Sequence, residues 1–241
     1  MVRIGIDVGG TFTDVVAIDT ESRSIVARIK VPTTHSAETG VAAGIIQGLQ
    51  LVLQTPALQG QRIAFIAHST TQATNALLEG DVARVGVVGL FEGQSWLARL
   101  QLRLPPLVLA ENALLRTQTA YARADDVRAV GLAFERLLGG GVEAIAISEA
   151  FGVDRPRYER AAVALARERG IPATAGHEVS SLYGLRARTR TAVLNAAILP
   201  VMMRTSAMTA RAVQEAGVGV PLMVMRSDGG VMDVREMARR P

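Results

Sequence analysis

A strand that ends in a Gly-Gly-Thr turn opens this chain: Met1-Val-Arg-Ile-Gly-Ile-Asp-Val-Gly-Gly-Thr-Phe-Thr-Asp14. Val2, Ile4, Ile6 and Val8 alternate with their neighbours, the period of a half-buried strand. Asp7 is therefore expected near the strand's end, facing opposite to them. Gly9 and Gly10 carry no Cβ, so the backbone is free to take left-handed turns and to approach a ligand closely. The N–H groups of Gly9, Gly10, Thr11 and Phe12 can then converge as an anion-binding nest. Thr11 and Thr13 add hydroxyl donors. Asp7 and Asp14 add carboxylates suited to Mg²⁺, directly or through water. This pattern describes a site for nucleotide phosphates. A plain hairpin with a Gly-Gly turn is the competing account, but it requires neither the threonines nor the carboxylates.

Other polar positions carry the same two-sided reading. His68 follows an apolar strand at 62–67 and is a candidate base, metal ligand or hydrogen-bonded structural residue. The chain has two further histidines, His35 and His177, and no H-x-x-H spacing. Ser69, Thr70 and Thr71 are residue types that cap helices. Arg190 lies on a helical stretch with Val193, Leu194 and Ile198, where it either clamps a carboxylate or phosphate bidentately or sits on a solvated face. Glu178 beside His177 reads as a loop pair. Ser227-Asp228-Gly229-Gly230 reads as a strand-to-helix turn, either plain or with an anion-favouring helix N-terminus after it.

Five blocks, in order, resemble the hydantoinase A / 5-oxoprolinase family. Ile6-Asp-Val-Gly-Gly-Thr-Phe-Thr-Asp-Val15 looks like its first phosphate loop. Lys30-Val-Pro-Thr-Thr34 resembles the segment after its third strand, and His68-Ser-Thr-Thr-Gln-Ala-Thr-Asn-Ala-Leu-Leu-Glu79 its H-G-T-T-x-A-T-N-A-L-L-E. Arg190 and Thr191 through Asn195, Ala196, Pro200 and Val201 resemble R-T-x-x-x-N-A-x-x-x-P-V, and Met225–Met232 resembles M-Q-S-N-G-G-V-M. Ser69 departs from the family's usual glycine.

The resemblance implies an α/β, ribonuclease-H-like fold of the actin-like ATPase superfamily. It implies ATP-dependent opening of a cyclic amide of the hydantoin or 5-oxoproline type. The γ-phosphoryl group goes to the amide oxygen, and water then attacks the imidate phosphate. Asp7, His68 and Asn75 form the implied catalytic set. Gly9, Gly10, Thr11, Phe12, Thr13, Ser227, Asp228, Gly229 and Gly230 hold nucleotide, with Mg²⁺ on Asp7 and Asp14. Thr70, Thr71, Thr74, Glu178, Arg190 and Asn195 face substrate. Implied partners are a hydantoinase B-type subunit or a C-terminal lobe. Some relatives serve the carboxylation of ketones instead.

The remaining pattern is α/β throughout. Strands are expected at 2–8, 14–19, 25–31, 62–67, 83–89, 117–121, 142–147, 171–175 and 221–225. Helices are expected over 37–53 with Ser36 as cap, from the S-T-T turn to Leu78, from an Asp125 cap to Leu138, over 155–169, over 185–216 with Pro200 inside, and over 234–239. Residues 91–109, with Pro105-Pro106, read as irregular. One domain is expected over 1–178, and the start of a second, catalytic domain over 179–241.

No cysteine is present, which excludes a disulfide framework. No signal peptide and no run of 18 or more apolar residues is visible, so a cytoplasmic protein is expected. The net charge of +4 comes from 26 basic and 22 acidic residues, with Lys30 the only lysine. Scattered arginines and 4% aromatics speak against a nucleic-acid surface. No second D-x-G-G-T occurs, so the chain reads as part of a larger enzyme. A non-catalytic module that binds a partner lobe is the second reading, and a sugar or acyl kinase the third.

Overall fold

The structure is a computed structural model that describes residues 1–34, 42–69, 71–93, 96–111, 113–226 and 228–237. It opens with β1 (Val2–Val8), β2 (Phe12–Asp19) and β3 (Ile25–Pro32), then α1 (Ala42–Leu53), β4 (Ile63–His68) and α2 (Thr71–Glu79). Next come β5 (Val85–Phe91), α3 (Trp96–Leu102), β6 (Leu107–Ala110), β7 (Ala113–Leu115) and β8 (Gln118–Arg123). α4 (Val127–Gly139), β9 (Ala144–Glu149), α5 (Arg157–Glu168), β10 (Ala173–Ala175) and α6 (Gly176–Val179) follow. The chain continues with α7 (Leu185–Glu215), β11 (Leu222–Met225), β12 (Val231–Asp233) and α8 (Val234–Met237). The expected helix cap Ser36, and Ala37 and Val41 of the expected α1 stripe, lie outside the described residues.

Contacts divide the chain into two compact units: Met1–Asn75 with the stretch from Met202, and Ala76–Val201. The first unit holds a six-stranded sheet in the order β12-β11-β4-β1-β2-β3. β2 runs antiparallel to both β1 and β3, and β4 runs parallel to β1 and β11. One sheet face is apolar: Val2, Ile4, Ile6, Val8, Val15 and Ala17 pack with Ile45, Leu49 and Val52 of α1 and with Ala212 and Val213 of α7. Each valine, leucine and isoleucine among them contributes roughly 1.5–3 kcal/mol by leaving water. Gly48 lets α1 lie close on the sheet, because a Cβ there would sit 2.7 Å from Val15 Cγ2.

The second unit holds the parallel sheet β10-β9-β5-β8 and the small hairpin β6-β7. Every residue of β9 is buried, as in a sheet covered on both faces. Ile145 and Ile147 join Phe134, Leu137, Val163 and Ala166 on one side. Ala144 and Ala146 join Leu102, Ala192, Val193 and Ala196 on the other.

Three local expectations are corrected. α4 is capped by Asp126, whose side chain accepts from the N–H groups of Arg128 and Ala129, while Asp125 pairs with Arg123. The segment read as irregular contains α3 and β6. The Asp228-Gly229-Gly230 stretch is not a strand-to-helix turn but a hairpin turn: β11 pairs antiparallel with β12 immediately after it. Gly229 takes a left-handed φ of 81°, its N–H donates to Arg226 O, and Arg226 N–H donates to Gly230 O. α7 is continuous through Pro200. By length and composition α7 is apolar enough to cross a membrane, yet 56% of its most apolar window is buried inside the protein, as in a core helix.

Candidate functional site

The β1–β2 hairpin sets Asp7 opposite Asp14 and Val8 opposite Thr13. Gly9 N–H donates to Phe12 O at 3.0 Å and closes the turn over Gly10 and Thr11. Neither Gly9 nor Gly10 is among the left-handed glycines, contrary to the turn expected from sequence. Space is the reason for Gly9: a Cβ there would stand 3.0 Å from Phe12 O. A Cβ on Gly10 would meet nothing within 4 Å, and the residue is exposed.

Thr33 braces the turn from β3's end. Its hydroxyl donates to Gly9 O at 2.8 Å, its N–H donates to Thr11 O at 2.9 Å, and Thr13 Oγ1 lies 3.0 Å from its Oγ1. In a trans peptide the N–H points opposite to the preceding carbonyl. The N–H groups of Gly10 and Phe12 are therefore turned away from Thr33. Thr13 is fully buried, so its hydroxyl serves this brace. Phe12 is half exposed, with Lys30 Nζ 5.1 Å from its ring centroid.

Asp7 and Asp14 share the sheet face opposite the apolar core. Like charges across a strand pair repel. Arg28 and Lys30 offset this by pairing with Asp14 at 3.2 and 3.4 Å. Asp7 Oδ1 accepts from Ser69 Oγ at 2.6 Å, and Ser69 N–H is itself held by Ile6 O at 2.8 Å. The residue that stands where the family usually has glycine thus orients the Asp7 carboxylate.

His68 is not brought to Asp7. It pairs in register with Ile6 and Val224 on the apolar face and is almost fully buried. Its Nδ1 lies 2.9 Å from Ser69 O and its Nε2 3.4 Å from Ser206 Oγ. Burial pushes its pKa down, so the neutral ring donates from Nδ1 and accepts at Nε2. Asn75 is half buried and Thr74 exposed on α2. Thr70 and Ser227 lie outside the described residues, as does the side chain of Thr71. Asp228 pairs with Arg226 and accepts from Gly230 N–H, on an exposed turn with Gly229.

In the second unit, Asn195 is buried and donates to Thr174 Oγ1 at 2.8 Å, tying α7 to β10. Glu178 makes a charge contact with Arg167 at 3.6 Å. Arg190 is exposed, and Thr191 Oγ1 bonds back to Ala187 O within its own helix.

The sequence reading passed over a buried polar network in this unit. Glu159 is fully buried and accepts from the N–H groups of Glu149 and His177, with His177 Nδ1 2.7 Å from its Oε2. Arg188, also fully buried, donates to the carbonyls of Glu149, Leu182 and Tyr183. Spacing could have revealed it: Arg188 shares the buried stripe with Leu185, Ala192 and Ala196, whereas Arg190 lies about 200° round the helix from it.

The sequence profile of the hydantoinase/oxoprolinase N-terminal region matches residues 3–170, and that of hydantoinase/oxoprolinase matches residues 188–241. The chain is 29% identical over 254 residues to the alpha subunit of caprolactamase from Pseudomonas jessenii, covering 95% of this chain and 36% of the relative. It is 27% identical to the gamma subunit of acetophenone carboxylase from Aromatoleum aromaticum, covering 96% of this chain and 36% of the relative. Among solved structures, ATP-dependent caprolactamase from Pseudomonas jessenii superposes with a TM-score of 0.64 at 25% identity, over 96% of this chain and 36% of that one. Nucleotide-free acetone carboxylase shares the fold, with a TM-score of 0.66 at 20% identity over 99% and 38%. The chain thus spans about a third of the length of these relatives. The mixed sheet with flanking helices is that of the actin-like ATPase fold, and the chain belongs to the hydantoinase/oxoprolinase family.

Proposed function

We propose that this chain holds nucleotide phosphate for an ATP-dependent enzyme that opens a cyclic amide through a phosphorylated intermediate. The observation that carries this reading is the braced Gly9–Thr11 turn beside Asp7. Its carbonyls are held by Thr33, and Gly10 and Thr11 are exposed, with no atom crowding the Cβ position of Gly10. The caprolactamase relative supports ATP and a lactam.

Among the described residues no group of three or more His, Cys, Asp or Glu side chains forms a metal cage. Mg²⁺ suits such a site, because it keeps several waters and takes one or two carboxylates plus phosphate oxygens. Asp7 fits that role, while Asp14 is held by Arg28 and Lys30. Bound there, Mg²⁺ would neutralise charge on the phosphates. Ser69 fixes the Asp7 carboxylate, and Thr13 and Thr33 keep the turn from collapsing. In the reaction, the amide oxygen takes the γ-phosphoryl group and ADP leaves. Water then adds to the activated carbon, the ring C–N bond breaks as the nitrogen takes a proton, and a second water cleaves the acyl phosphate left behind to give an amino acid and free phosphate.

The chain's length relative to its relatives supports a further lobe or a B-type subunit as partner. The lack of cysteine and the burial of α7 fit a cytoplasmic setting. The acetophenone carboxylase relative supports a second reading, a subunit of a ketone carboxylase.

The test measures ADP release by the complete protein with caprolactam, hydantoin, 5-oxoproline, or acetophenone plus bicarbonate. Stimulation by a cyclic amide is expected. Stimulation only by the ketone with bicarbonate would replace the lactam reading with the second one. Gly10→Val fits the fold, since its Cβ meets nothing, and is expected to abolish nucleotide binding. Binding at wild-type strength would overturn the turn as the phosphate site.

A further inference from the structure

The second unit carries a cavity of about 740 Å³ that the phosphate site does not use, lined by Glu92, Glu149, Phe151, Arg155, Arg157 and Tyr158 among others. Its position follows from topology. In the sheet β10-β9-β5-β8, the chain leaves β5 toward β8 on one side and leaves β9 toward β10 on the other. The crevice between the carboxyl ends of β5 and β9 is therefore a topological switch point, where open parallel sheets bind ligands. Glu92 follows the last residue of β5, and Glu149 is the last residue of β9.

The cavity has two poles of opposite charge. Glu149 is 7% exposed, lines the cavity, and its Oε2 has no hydrogen-bond partner among the described residues. Leaving a buried carboxyl oxygen unmatched is costly, so it calls for a donor. Glu92 adds a second carboxylate, whose Oε1 accepts from Tyr158 OH at 2.7 Å. Against these stand Arg155 and Arg157 at the N-terminus of the twelve-residue α5, an end that favours anions. Arg157 donates to Tyr158 OH at 3.1 Å and stacks on that ring, so its guanidinium is held in place. Phe151, a non-glycine residue at a left-handed φ of 60°, lies on the loop between the two poles and is 68% exposed. Such strain persists where the surroundings enforce it, often at ligand sites.

The geometry points to a binding site for a small amino acid, its ammonium group on Glu149 and Glu92 and its carboxylate on Arg155, Arg157 and the start of α5. This site shares no residue with the Gly9–Thr11 turn and stands whether or not the reaction proposed above is correct. Ligand binding here tightens as Glu149 ionises. The charged groups around that carboxyl are Glu159 and Arg157 from α5, Glu92 from the end of β5 and Arg188 from α7, with His177 of α6 behind Glu159. Burial, then Glu159 and Glu92, push its pKa up to about 7. Between pH 5.5 and 8.5 its ionised fraction rises about thirtyfold.

The experiment is calorimetric titration of the chain with glycine, 4-aminobutanoate and 6-aminohexanoate, with butanoate and butylamine as one-charge controls. At least one amino acid is expected to bind tenfold more tightly than both controls, and at least tenfold more tightly at pH 8.5 than at pH 5.5. Glu149→Gln and Arg157→Gln are each expected to lower that affinity tenfold or more. Glu92→Gln, on an exposed residue, supplies the same test independently of folding and is expected to weaken binding severalfold. Equal or undetectable binding of all five compounds would overturn the site. So would wild-type affinity in Glu92→Gln together with either of the other variants. An amine control that binds as well as the amino acids would remove the carboxylate pole from the inference.

Discussion

Replacing Glu149 with Gln should stabilise the protein in base and leave it nearly unchanged in acid. Glu149 closes β9 with its carboxyl buried against Glu159 and facing Glu92, and Arg188 and Arg157 only partly offset that field. Its pKa rises from 4.5 to about 7 in the fold. A folded pKa above the unfolded one means that the folded state binds more protons in between. The stabilisation from the protonated carboxyl is thus complete below about pH 4.5 and is lost as pH rises through 7. The full shift corresponds to about 3 kcal/mol, of which about 2 kcal/mol is lost between pH 5.5 and 8.5. Gln keeps the side-chain volume and does not titrate. Urea unfolding of both proteins at both pH values, followed by the fluorescence of the single tryptophan, Trp96 in the same unit, reads the effect. The stability gap between variant and wild type should open by about 2 kcal/mol from pH 5.5 to 8.5. A gap that stays constant, or closes, would refute the account of Glu149 as an unmatched buried carboxyl.

Asp7→Asn in the complete enzyme should lower turnover by about a hundredfold, about 3 kcal/mol of barrier, while the Tm without nucleotide holds; a large fall in Tm with near-normal turnover would make Asp7 a structural group. Thr13→Val should cost about 1 kcal/mol in urea unfolding through loss of the buried Thr13–Thr33 contact. An unchanged midpoint would mean that the brace adds nothing. Gly48→Val should lower stability by about 1–3 kcal/mol because its Cβ would stand 2.7 Å from Val15 Cγ2, and a Tm equal to wild type would show that α1 shifts freely.

Much of the first unit was legible because one physical rule governs it. β1 buries one face only, so its period of two is visible in the sequence, and Asp7 falls on the open face as expected. The parallel strands β5 and β9 were visible as short apolar runs for a different reason, since both of their faces are covered. Where competing signals sit side by side, the reading slipped. Asp125 and Asp126 are both cap residues, and only φ, ψ and the Arg123 pair separate them. β12 has three residues, too few to display any period, and the glycines before it read as a strand-to-helix turn. α3 has seven, and two exposed leucines blur its stripe.

Polar candidates are harder to rank by sequence because the same side chain serves a frame or a ligand equally well. Burial separates the two uses, since an unmatched polar group away from water costs about 1–3 kcal/mol and so is drawn into internal bonds. Thr13, His68 and Asn195 are buried and bonded within the fold, and the charge of Asp14 is matched by Arg28 and Lys30. Asp7, Gly10 and Thr11 lie on the exposed side of the same hairpin. The phosphate motif is therefore best understood as two interleaved sets: inward residues that hold the turn's shape, and outward ones that meet whatever binds. Glu149 breaks the rule that sorts them. It is buried, its Oε2 is unmatched, and it stands at the switch point of the other sheet, where a ligand's ammonium group would supply the donor it lacks.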